Sequence, residues 1–61
     1  MKDEKIIKEI VESNQNCANK LDQLIADLKI AGIDQETINK TTAMKSKYQD
    51  IADYNNKLIG E

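Results

Sequence analysis

The chain has 61 residues, of which 33% are charged and 3% aromatic, and a formal net charge of −2. That length holds one domain. With one cysteine and no histidine, an internal disulfide and an ordinary zinc site are excluded. Chains this short rarely fold alone without such staples, so oligomerisation is expected.

All nine basic residues are lysine. Arginine, whose planar fork suits phosphates and base edges, is missing, which weighs against nucleic-acid recognition. No apolar run is long enough to span a membrane and no signal peptide is recognisable, so the expected compartment is a reducing cytoplasm. Abundant Lys, Asn and Ile point to an AT-rich coding genome, and with the small size to a phage or mobile element.

Asp3 is placed to cap a first helix, and Glu4 and Lys8 form an i,i+4 pair in the favoured order. With Ile7 as position a of a heptad, the a row reads Ile7, Asn14, Leu21 and Leu28, and the d row Ile10, Cys17, Leu24 and Ala31. The pattern predicts a helix over about residues 3–31. The e row, Val11, Ala18 and Ile25, is apolar as well. A stripe over a, d and e is wider than a two-stranded seam and suits a helix with two neighbours.

Ala31-Gly32-Ile33-Asp34 ends this helix and starts the next. Gly32 can adopt the left-handed conformation that closes a helix. Asp34 is a good N-cap, and Glu36 adds negative charge near the positive end of the helix dipole. A capping box is absent, because Thr37 stands where Glu or Gln would be. Ile33 can touch Leu28 on one side and Ile38 on the other. So short a connection, 32–34, favours antiparallel neighbours.

The second helix is expected over about 35–59, with Gly60 as its C-cap. Its a row is Thr41, Tyr48 and Asn55; its d row Thr37, Met44, Ile51 and Leu58; its e row Ile38, Lys45, Ala52 and Ile59. Threonines at one end of the stripe lower burial and helix propensity together.

Antiparallel partners have position numbers that add to a constant, and a sum of 65 lets a meet d at every layer. Leu21 then faces Met44, Cys17 faces Tyr48 and Ile7 faces Leu58. The g flank is polar, with Asp27 in reach of Lys40. The e flank, Val11, Ala18, Ile25, Ile38, Lys45, Ala52 and Ile59, is left as an apolar strip with one charge, and such strips mark protein contacts. The expected fold is therefore all-α: an antiparallel two-helix hairpin that pairs through the e strip, as a two-fold homodimer, into a coiled-coil-like four-helix bundle.

No residue set invites catalysis. Without histidine or a paired nucleophile and base, acid–base and covalent mechanisms have no starting point. The carboxylates lack metal-loop spacing, and no cofactor is expected. Asn14 and Asn55, at seam positions, read as register devices. Cys17 reads as a small buried filler. Tyr48 reads as core, and Tyr54 as exposed and open to a partner. Lys40, Lys45 and Lys47 occur without an intervening acid and are the candidate phosphate contacts.

In size and plan, two heptad-patterned helices about the turn at Gly32-Ile33-Asp34, the chain resembles the Rop family of plasmid copy-number regulators. That resemblance implies a dimeric bundle that binds RNA loops. The reading favoured by the residues is a small non-enzymatic regulator or adaptor acting on a protein partner through helix–helix contact. A Rop-like nucleic-acid regulator and an assembly or scaffolding component are the alternatives.

Overall fold

The computed structural model describes residues 3–60. Two helices, α1 (Glu4–Ile30) and α2 (Gln35–Gly60), pack side by side as an antiparallel hairpin. The molecule is a rod of 47 × 13 × 12 Å. Both helices form where the heptad pattern places them, with ends within one residue of expectation. Gly60 differs: it is the last residue of α2 and not a cap beyond it.

Asp3 also departs from expectation. Its side chain makes no cap hydrogen bond, and its φ of −82° and ψ of −11° are helical. A capping residue needs an extended backbone to bring its side chain over the first turn. Here the backbone carbonyl of Asp3 instead accepts from Ile7 N at 3.0 Å, which extends the helical ladder.

The turn is a Schellman motif built around Gly32. Gly32 has φ +73°. Its N–H donates to Lys29 O at 3.2 Å, and Ile33 N–H donates to Leu28 O at 3.0 Å. Two orphan carbonyls of α1 are thereby satisfied. Asp34 then caps α2: its carboxylate accepts the Thr37 N–H and the Thr37 hydroxyl, each at 3.0 Å. Thr37 thus completes a compact cap without a capping box. The Thr37 N–H bond, followed by its hydroxyl bond, holds the Asp34 carboxyl below the ordinary Asp range.

The core is thin. Only Ala18, Ile25, Ile38 and Ala52 are buried among the described residues. Two of these are alanines, which bring little apolar area out of water. They do allow close approach of the two helix backbones. Among the described residues no helix is long and apolar enough to cross a membrane.

Candidate interaction surface

The e row lies inside the hairpin. Ala18 and Ala52 are 1% exposed, Ile25 and Ile38 are buried, and Val11, Lys45 and Ile59 are half-buried. The a-row residues Ile7, Asn14, Leu21, Leu28, Thr41, Tyr48 and Asn55 are half-buried beside them. The seam between the helices is therefore a with e, and not a with d. This corrects the expectation that the e strip stays outside the hairpin. Position a has a neighbour three or four residues away in either row, so both pairings give a heptad seam. The pairing adopted puts the small side chains of Ala18 and Ala52 between the helices and the larger d-row side chains outside.

The axial register holds even though the rotation differs. The cross-helix partners Gln15–Gln49 and Asp22–Lys45 keep the expected offset to within two residues. Each helix is turned about its own axis relative to the expected seam, without sliding along it.

That rotation gives the hairpin two unlike flanks. One is polar and already bonded. Gln15 Nε2 donates to Gln49 Oε1 at 2.9 Å, and Gln49 Nε2 donates back to Gln15 Oε1 at 2.8 Å. The same two amides donate to Asn19 and Asp53, each at 3.0 Å. Lys45 extends from the seam to Asp22 at 3.4 Å, burying its stem and keeping its ammonium near water.

The other flank carries the d row. Ile10, Leu24, Met44, Ile51 and Leu58 are each between 37% and 49% exposed. Cys17 is exposed, where a buried filler was expected. Beside them Ile6 and Tyr54 are more exposed still, Tyr54 as expected. Midway along this flank is an open groove of about 370 Å³, lined by Asn16, Cys17, Lys20, Leu21, Met44 and Tyr48. Leu21 and Tyr48 come from the seam, and Cys17 and Met44 from the two d rows. Both d rows thus share one face.

The remaining candidates are placed as follows. Asn14 Nδ2 donates to Ile10 O, and Asn55 Nδ2 to Ile51 O, both at 2.8 Å. Each amide bonds its own helix one turn back, so neither links the two helices. Lys40 pairs with Glu36 at 3.2 Å along α2, in place of the expected Asp27. Lys45 is taken by Asp22. Two of the three candidate phosphate contacts are thus already beside carboxylates, while Lys47 is exposed on α2.

Reasoning from sequence missed the exposed d row as a surface. A partial signal lies in the e row, where Ala18 and Ala52 allow the helices to approach. Comparisons of the chain with protein-family models, with curated proteins and with solved structures give no match.

Proposed function

We propose that this protein is a small non-enzymatic regulator or adaptor that works by helix-on-helix contact, and that its hairpin pairs with a second copy into a four-helix bundle. The observation that carries this reading is the row of large apolar side chains, Ile10, Leu24, Met44, Ile51 and Leu58, left on one face of a hairpin with four buried residues among those described. A face of this kind is costly in water and is relieved by a complementary helical surface. Masking or bridging a partner's helices is the action such a face supports, with the partner's helices taking the place of the second copy.

The test has two parts. Sedimentation of the purified protein over a micromolar series is expected to show a dimer, and a fully helical monomer across that range would overturn the bundle. Extract from the source cells is then passed over the wild type and over Leu24→Asp. One stoichiometric protein held by the wild type and lost by the variant is the expected result; equal retention by both would remove this face from the function. Gel shifts over a salt series check the nucleic-acid alternative, since a steep salt slope would move the assignment to a Rop-like regulator.

A further inference from the structure

We infer that the second copy closes over the d-row face centred on the groove of Cys17, Leu21, Met44 and Tyr48, so that the Cys17 thiol, open in the single hairpin, lies inside the dimer interface. This rests on the reading of the hairpin as half of a bundle, and it adds which face the two copies share.

The exposed area is large for a chain of this mass. A compact folded chain of this mass exposes about 4,000 Å². The hairpin exposes 4710 Å². The excess, roughly 700 Å², goes with the 47 × 13 × 12 Å rod shape, and a second rod laid alongside removes area of the order of the ~800 Å² per partner of a standard interface.

The d-row face is suited to meeting itself. From Ile10 to Leu58 the d row holds no charged residue, and the one charge lining the groove, Lys20, is an exposed side chain whose long stem can lie along an apolar surface with its ammonium in water. Its large members are evenly placed: Ile10 and Leu24 flank Cys17 on α1, and Met44 and Ile51 lie at the same level on α2. A two-fold interface uses the same patch twice, and a patch balanced about its midpoint can present bulk to bulk on both sides of the axis. The opposite flank is unsuited. Its Gln15 and Gln49 amides are already bonded to each other, and Asp22 and Lys45 are paired beside them. A second copy there would desolvate groups that gain no new partner.

The native Cys17 reports on this directly. Its alkylation by N-ethylmaleimide is followed over a hundredfold range of protein concentration centred on the dimer midpoint measured by sedimentation. Burial in the dimer makes the rate per chain follow the monomer fraction, so it is expected to fall by about fourfold across that range. The midpoint is then compared between Leu24→Asp, on the face, and Asn56→Asp, on the opposite flank. Loss of the dimer in the first and an unmoved midpoint in the second are expected. A dimer that forms while the Cys17 rate stays constant, or one that survives Leu24→Asp, would place the contact elsewhere and overturn this inference while leaving the bundle standing. A chain that stays monomeric, with a constant rate, would overturn both.

Discussion

Gln15 and Gln49 exchange two amide hydrogen bonds across the hairpin, at 2.9 and 2.8 Å, and with Lys45–Asp22 they tie α1 to α2 along one flank. Both side chains are half-buried. Replacing either by Ala leaves the other amide short of a partner in a partly desolvated place. Gln15→Ala and Gln49→Ala are each expected to cost about 0.5–1.5 kcal/mol in urea unfolding. The double variant should cost less than the two single losses added, because the second change removes the stranded group. Full additivity would show that the pair does not act as a unit.

The turn makes a separate demand. Gly32 sits at φ +73°, and a Cβ built on it meets nothing within 4 Å. Gly32→Ala therefore tests backbone strain without steric clash. A loss of about 1–2 kcal/mol is expected, with Gly32→Asn milder because Asn tolerates the left-handed region. Thermal unfolding by circular dichroism measures both, and an unchanged Gly32→Ala would mean that the turn has another available closure.

Asp34 ties the start of α2 to pH. Its carboxyl is held below the ordinary Asp value by the Thr37 N–H and hydroxyl. A group whose folded pKa is depressed binds protons more weakly when folded than when unfolded. Its stabilisation is present above the unfolded value, near 3.9, and is lost as pH falls through the lower folded value. The wild type is thus expected to lose stability on acidification below about pH 4, and Asp34→Asn to lose less of it. Melting temperature against pH for the two proteins makes the comparison, and parallel curves would refute the assignment.

Adjacent residues separate the two faces. Ile25 is buried in the seam and Leu24 is 40% exposed on the d row. Ile25→Asp buries an unpaired charge between the helices and is expected to remove most of the helicity at any concentration. Leu24→Asp is expected to remove self-association, with helicity that recovers as protein concentration rises far less than in the wild type. Circular dichroism and sedimentation over the same concentrations distinguish them. Identical behaviour would mean that the hairpin and the dimer are one folding unit with no separable face.

Much of this molecule is readable in order along the chain. Local signals determined the two helices, the Gly32–Asp34 turn and the antiparallel layout, because each rests on a few neighbouring residues: a heptad period, a left-handed glycine, an Asp that caps. The axial register was legible too, since turn length and heptad phase constrain it together. The width of the apolar stripe, a with both d and e, followed from the same rows. Tertiary packing alone decided which two of those three rows face inward. Rows d and e lie on either side of a, and each makes a heptad seam with it. The choice turns on how side chains of the two helices fit together, and the e row fits with Ala18 and Ala52 at close approach and Ile25 and Ile38 buried beside them. Steric fit between helices is a property of pairs, and it moved the exposed apolar face from Val11, Ala18 and Ile25 to Ile10, Cys17 and Leu24.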